Sequence, residues 1–130
     1  MNAPRRIVTP ARRVRGLGAA RSGTTTFWHQ RITSIAGVPL TLAVMVIAVA
    51  LLGRSHAATV QILGSPLVAV TMLLFIITIA YHMWIGMQEI IVDYVHDEGL
   101  KYVTLLGNTF FVFALAFASC FAILKLSFGV

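Results

Sequence analysis

The sequence predicts an all-α integral membrane protein with three transmembrane helices. Of its 130 residues, 58% are hydrophobic and only 11% are charged, whereas about one quarter of a soluble domain is charged. Three apolar stretches, 32–53, 66–92 and 102–124, are each long enough to cross a hydrocarbon core of about 30 Å. A chain of this size encloses little space alone, so we expect its helices to form part of a larger bundle with a partner subunit.

Residues 1–23 form a basic N-terminal arm that precedes the membrane domain at residues 24–130. The arm has no acidic residue, and its prolines and glycines interrupt any continuous helix. Its arginines are Arg5, Arg6, Arg12, Arg13, Arg15 and Arg21. This composition is typical of an arm that rests on anionic lipid headgroups, and a transit peptide is the alternative.

The first span begins after an aromatic segment that suits the membrane interface, with Phe27 and Trp28. The stretch 32–53 has no charged residue and would be about 33 Å long as a helix. Pro39 is a candidate kink near its start.

Two short turns separate the remaining spans. The segment Arg54–Gly64 is predicted as the first turn, and Ser65 and Pro66 suit the N-cap and first residue of the next helix. The segment Asp93–Lys101 is predicted as the second turn. In the third span small residues recur every fourth position, and this stripe is predicted to pack on another helix; its members are Ala114, Ala118 and Ala122.

The distribution of basic residues predicts the orientation. Seven of the ten lysines and arginines lie between Arg5 and Arg31, which places the N-terminus on the cytoplasmic side. With three spans, Arg54 then lies outside and Asp93 lies at the inner interface. The basic residues do not form the face of a soluble domain, so the charge does not indicate nucleic-acid binding.

Ionisable residues interrupt the second span. On a helix with 100° per residue, Gly86, Glu89 and Asp93 lie within roughly 40° of His82. His82 is about 16 Å along the axis from Asp93 and therefore near the middle of the membrane. Ionisable groups at such a depth are costly, and they are functional candidates by default.

Each of these polar residues has more than one interpretation. His82 could ligate haem iron, hydrogen-bond a neighbouring helix, or relay protons. Asp93 and Tyr94 could bind a quinone headgroup or simply mark a helix end at the interface. Glu89 could accept a proton, pair with Arg31 or reach the inner interface. Arg31 could pair with a haem propionate, Glu89 or a lipid phosphate.

The motif His82-x-Trp84-x-Gly86-Met87, followed by Asp93-Tyr94-Val95, resembles the hydrophobic membrane anchor of succinate dehydrogenase (complex II), in particular the smaller of its two anchor chains. The resemblance covers nearly the whole chain and includes the segment 28–33 at the start of the first span. Glu89 and the long basic arm depart from the family pattern.

The resemblance implies several roles. His82 would be an axial ligand of haem b, shared with a partner anchor subunit. Tyr94, with Asp93 beside it, would bind ubiquinone. Arg31 would lie near the haem propionates or the quinone. The remaining partners would be an iron–sulfur subunit and a flavoprotein subunit, together with membrane lipid.

The sequence therefore predicts a non-catalytic anchor subunit that helps to transfer electrons from succinate to ubiquinone. The chain has neither a dinucleotide-binding motif nor a cysteine cluster, so succinate oxidation would belong to partner subunits. The bacterial inner membrane is favoured over the mitochondrial inner membrane. The alternatives are a small transporter or proton-relay protein that uses His82, Glu89 and Asp93, and a structural assembly factor.

Overall fold

The computed structural model describes Pro10 and residues 22–129. This part of the chain forms four α-helices and no strand: α1 (Ser22–Leu51), α2 (His56–Gly64), α3 (Pro66–Tyr94) and α4 (Glu98–Phe128). Three of them, α1, α3 and α4, are long and apolar enough to cross a membrane. The predicted all-α class with three membrane-spanning helices is confirmed. The predicted basic arm lies outside the described residues, except for Pro10 and the start of α1.

Helix α3 is the centre of the bundle, with α1 packed on one side and α4 on the other. The short α2 contacts α4 and α3. Few side chains are buried, and those on α3 and α4 are Ala69, Ile85, Ile91, Asn108, Val112 and Ile123. The remaining surface is largely apolar, as expected of helices that contact lipid or other membrane helices.

Helix α1 begins at Ser22, ten residues before the first residue of the predicted span at Ile32. The polar residues that precede Ile32 continue the helix instead of forming a separate segment. Its 30 residues correspond to about 45 Å, which exceeds the hydrocarbon thickness, so its ends extend beyond the apolar layer. The helix runs without interruption through Pro39.

The first connection is not the simple turn that the sequence predicted. Gly53 follows α1 with a positive φ of 70°, and Ser55 then caps a new helix by accepting a hydrogen bond from the Ala58 amide at 3.4 Å. This helix, α2, lies against the end of α4, where a Cβ on Gly64 would come within 2.8 Å of the Leu126 carbonyl oxygen. Glycine therefore permits the close approach of α2 to α4.

Ser65 and Pro66 begin α3, as predicted. The Ser65 side chain does not cap α3, however, because its hydroxyl donates to the Ile62 carbonyl of α2 at 2.7 Å. One residue thus ends α2 with its side chain and begins α3 with its backbone.

The second connection is shorter than predicted. Helix α3 continues to Tyr94, and α4 already begins at Glu98. Asp97 caps α4, since its carboxylate accepts a hydrogen bond from the Leu100 amide at 2.7 Å. Most of the segment predicted as the turn Asp93–Lys101 is therefore helical, and residues 95–97 alone link the two helices.

Among the described residues the alanine stripe does not pack on another helix of this chain, so packing of the stripe on a helix of another subunit stays a prediction. Ala114, Ala118 and Ala122 are exposed. Helix α4 instead buries the face that carries Val112, and Ala114 lies about 200° around the helix from Val112.

Candidate functional site

A hydrogen bond between α1 and α3 holds the imidazole of His82. Its Nδ1 atom lies 2.9 Å from the hydroxyl oxygen of Thr33, and both residues are partly buried. The same hydroxyl lies 2.8 Å from the His29 carbonyl and 3.0 Å from the Gln30 carbonyl. The Nε2 atom of His82 makes no hydrogen bond with any residue that the structure describes. One ring nitrogen is thus satisfied across the helices, and the other remains able to bind a ligand.

A second contact between α1 and α3 lies directly beside the first. The hydroxyl of Tyr81 is 2.8 Å from Nδ1 of His29, and the Tyr81 ring stacks on Trp84 with a centroid separation of 5.7 Å. Since Tyr81 and His82 are consecutive and bond to residues one turn apart on α1, the two bonds fix the register of the helices.

Two open grooves meet at His82. The Gly37 groove has a volume of about 400 Å³ and is lined by Thr33, Ser34, Gly37, Val38, Thr41, Leu42, Ile79 and His82. The Gly86 groove has a volume of about 490 Å³ and is lined by Gln30, His82, Met83, Gly86, Met87, Glu89, Ile90, Asp93 and Tyr94. The structure therefore brings His82, Glu89, Asp93 and Tyr94 to one continuous surface.

Gln30 of α1 contributes an amide to the Gly86 groove. Its Oε1 atom is buried and has no hydrogen-bond partner among the described residues, and its Nε2 atom would lie 3.6 Å from a Cβ placed on Gly86. That distance is an ordinary contact, so the packing of α1 does not itself require glycine. Gly86 keeps the groove wide beside the His82 ring.

The acidic end of the Gly86 groove is solvent- or lipid-facing. Glu89, Asp93 and Tyr94 are exposed, with Tyr94 77% exposed. Their side chains make no hydrogen bond or ion pair with another described residue. In particular, the pair between Glu89 and Arg31 that the sequence allowed is not formed in this part of the chain.

Arg31 lies outside both grooves. Its guanidinium carbon is 4.5 Å from the centre of the Phe27 ring, a cation–π contact at an exposed site. Because Arg31 precedes Thr33 by two residues, it lies about 200° around α1 from the residue that contacts His82. It can therefore meet an anionic group that approaches α1 from another side.

The contact between α3 and α4 also contains polar groups, and these bond to each other. The Trp84 indole N–H donates to the Thr109 hydroxyl at 3.1 Å. The Asn108 amide donates to the Trp84 carbonyl at 3.2 Å, and Asn108 is only 8% exposed.

Sequence reasoning missed Thr33 and Gln30 as site residues. Both stand in the segment 28–33 that carried part of the family resemblance, and both are polar residues at the start of an apolar helix. A polar residue at that position could have been identified from the sequence as a candidate for the site. The choice of Gln30 and Thr33 over Arg31 as the residues that face α3 depends on the rotation of α1 against α3, which only the packing defines.

Comparison with known proteins agrees with this architecture. Residues 5–119 match the family described as succinate dehydrogenase/fumarate reductase transmembrane subunit. The chain is also 27% identical, over 124 residues that make up 95% of each protein, to a succinate dehydrogenase hydrophobic membrane anchor subunit of Paracoccus denitrificans. No solved structure matches significantly. The chain therefore belongs to the succinate dehydrogenase/fumarate reductase transmembrane subunit family.

Proposed function

We propose that this chain is the membrane anchor subunit of a succinate:quinone oxidoreductase, that His82 is an axial ligand of haem b, and that Asp93 and Tyr94 contribute to a ubiquinone site. Family membership supports the anchor role. The observation that carries the haem assignment is the state of the His82 ring, in which Nδ1 bonds to Thr33 while Nε2 has no partner among the described residues.

The residues present fit a haem. A hydrogen bond to a neighbouring helix was one of the alternatives for His82, and Thr33 provides it, but that bond uses only one ring nitrogen. The remaining nitrogen is the type of ligand that haem iron takes from histidine. The Gly37 and Gly86 grooves flank the ring and are open, so a partner anchor subunit would close the site and supply the second ligand. When bound, the haem would supply one-electron transfer.

The Gly86 groove supports the quinone assignment. It extends from His82 to Tyr94, and the Tyr94 hydroxyl has no partner among the described residues. A phenol at this position can donate a hydrogen bond to a quinone carbonyl from the membrane edge, while the apolar groove wall accommodates the ring. Arg31 lies outside both grooves. In the assembled complex it would pair with a haem propionate or with a group near the quinone.

The proposed assembly places this chain in the bacterial inner membrane with its N-terminus in the cytoplasm. Its partners would be a second membrane anchor, an iron–sulfur subunit and a flavoprotein subunit that oxidises succinate. The positive-inside bias supports this orientation. The orientation in turn puts Asp93 and Tyr94 on the cytoplasmic side, where the succinate-oxidising subunits would dock.

The substitution His82→Ala in the assembled complex tests the haem assignment. We expect loss of haem or a changed reduced-minus-oxidised spectrum, because the iron loses one ligand. His56→Ala is the matched control, since His56 is exposed on α2 and lines neither groove. Full haem content with an unchanged spectrum in His82→Ala would show that the iron ligands lie elsewhere.

A proton relay through His82, Glu89 and Asp93 is the second candidate, because all three residues line the Gly86 groove. No hydrogen bond links them to one another within the described residues. The same spectra distinguish the candidates, since a relay protein would show no haem band for His82→Ala to alter.

A further inference from the structure

Thr33 is the only side chain among the described residues that hydrogen-bonds to His82. It is a partly buried residue of α1, and its hydroxyl oxygen has three polar neighbours. These are the carbonyl oxygens of His29 at 2.8 Å and Gln30 at 3.0 Å, and Nδ1 of His82 at 2.9 Å. A threonine hydroxyl has one proton to donate and two lone pairs that can accept.

The count of protons determines the direction of the bond to His82. Both carbonyl oxygens can only accept, so the hydroxyl proton belongs to one of them. If the proton pointed to Nδ1 instead, the hydroxyl oxygen would face two carbonyl oxygens at 2.8 and 3.0 Å with no proton between them, which is electrostatically unfavourable. The hydroxyl therefore accepts, and Nδ1 of His82 donates.

We propose that Thr33 is a positioning residue for His82: its hydroxyl accepts the Nδ1 proton, which fixes the neutral imidazole with Nδ1 protonated and leaves the Nε2 lone pair for iron. This inference rests on the proposed haem-ligand role. In a neutral imidazole one nitrogen donates and the other accepts, so an acceptor at Nδ1 selects the tautomer that can ligate through Nε2. A hydrogen bond from the second nitrogen also orients the ring and raises the basicity of the ligand.

The backbone of α1 holds the Thr33 hydroxyl in a fixed position as a hydrogen-bond acceptor. The bond from its hydroxyl to one of the two carbonyls one turn earlier holds the side chain in one rotamer, and the branched Cβ restricts rotation further. The adjacent bond between Tyr81 and His29 fixes the same register of α1 against α3. The ring of His82 is therefore oriented before any ligand binds.

The test compares Thr33→Val with Thr33→Ser in the purified, haem-loaded complex. Valine keeps the shape and removes the acceptor, whereas serine keeps the hydroxyl. A less basic ligand stabilises ferric iron less, so the haem midpoint potential in Thr33→Val should rise. Only the difference in strength of this bond between ferric and ferrous haem shifts the redox equilibrium, so the worth of one hydrogen bond sets an upper bound of about tenfold, or about 59 mV for a one-electron couple. The electron paramagnetic resonance spectrum of the ferric haem should shift as well, and Thr33→Ser should restore both properties.

Thr104→Val is the matched control. The Thr104 hydroxyl bonds to the Leu100 and Lys101 carbonyls of its own helix, as that of Thr33 does on α1, but Thr104 lies on α4 and lines neither groove, so this variant should keep the original potential. If Thr33→Val fails to assemble, Thr33→Ala removes the hydroxyl without adding volume and is measured in the same way. An unchanged potential and resonance spectrum in the hydroxyl-free variant, together with loss of haem in His82→Ala, overturns the role of Thr33 and leaves the ligand assignment intact. Unchanged haem in His82→Ala overturns the ligand assignment itself.

Discussion

The two sides of α3 use polar side chains in different ways. Towards α4, Trp84, Thr109 and Asn108 bond within the interface, and apolar residues such as Val112 are buried beside them. Towards α1, bonds to His29 and Thr33 fix the helices, but Nε2 of His82 and Oε1 of Gln30 are left without partners among the described residues. Two grooves open on this side as well.

This difference separates a structural contact from the proposed binding site. A buried polar group without a hydrogen bond, as Oε1 of Gln30 is among the described residues, costs free energy, so a native chain tolerates it where something else supplies the missing partner. The α3–α4 interface is complete within one chain. The α1–α3 interface is incomplete within the described residues, as the proposed haem site would require.

Two glycine-to-alanine changes, one in the close-packed contact of α2 with α4 and one in the open Gly86 groove between α1 and α3, should give the largest contrast in stability. In Gly64→Ala the new Cβ would meet the Leu126 carbonyl at 2.8 Å, so α2 must shift from α4 and the free energy of unfolding should fall by about 1–3 kcal/mol. In Gly86→Ala the nearest atom is Gln30 Nε2 at 3.6 Å, and stability should change by less than about 1 kcal/mol. Denaturant titration in detergent micelles measures both.

Gly107→Ala is the control for these variants, since no atom lies within 4 Å of a Cβ at that position on α4. It should be at least as stable as the original chain. Equal stability of Gly64→Ala and Gly107→Ala would mean that α2 is free to move from α4, and the contrast between the close-packed α2–α4 contact and the open groove would be lost.

A second prediction concerns the open end of the Gly86 groove. Tyr94→Phe removes an exposed hydroxyl that has no partner in the described part of the chain and keeps the ring. The loss of one hydrogen bond to a quinone, about 0.5–1.5 kcal/mol, should lower quinone affinity roughly two- to tenfold. The measurement is quinone reduction as a function of quinone concentration in membranes that contain the complex.

Succinate oxidation with a soluble artificial acceptor is the internal control, because that reaction would occur in the partner subunits. A parallel fall in both rates would assign Tyr94 to assembly of the complex. If both rates stay constant, Tyr94 is only an interfacial anchor.

The smallest expected effects come from removing one interhelical hydrogen bond on each side. Thr109→Val deprives the Trp84 indole of its acceptor, and Tyr81→Phe removes the hydroxyl that bonds to His29. Interhelical bonds in membrane proteins average about 0.6 kcal/mol. We expect Thr109→Val to lower the free energy of unfolding by more than this average, because a donor is left unsatisfied between helices. Tyr81→Phe should lower it by less, because His29 is exposed. The reverse order in denaturant titrations would contradict the distinction between the closed and open interfaces.

The sequence alone determined the membrane architecture and the face of α3 that carries the candidate site. Uncharged stretches predict spanning helices because the bilayer excludes unsatisfied polar backbone, and the helical repeat places His82, Gly86, Glu89 and Asp93 on one side without any tertiary information. The connections were less well predicted. Residues 54–64 have no strong helical signal of their own, and α2 is stabilised by the cap at Ser55 and by the close contact of Gly64 with α4.

The tertiary structure decided which residues of α1 meet that face. A single helix sequence specifies the angles between Gln30, Arg31 and Thr33, but it does not specify which of them turns towards α3. The packing turns Thr33 to His82 and Gln30 to the Gly86 groove, while Arg31 lies against Phe27. The rotation of one helix against another depends on the side chains of both, and here the bond between His29 and Tyr81 and the bond between Thr33 and His82 hold it in place.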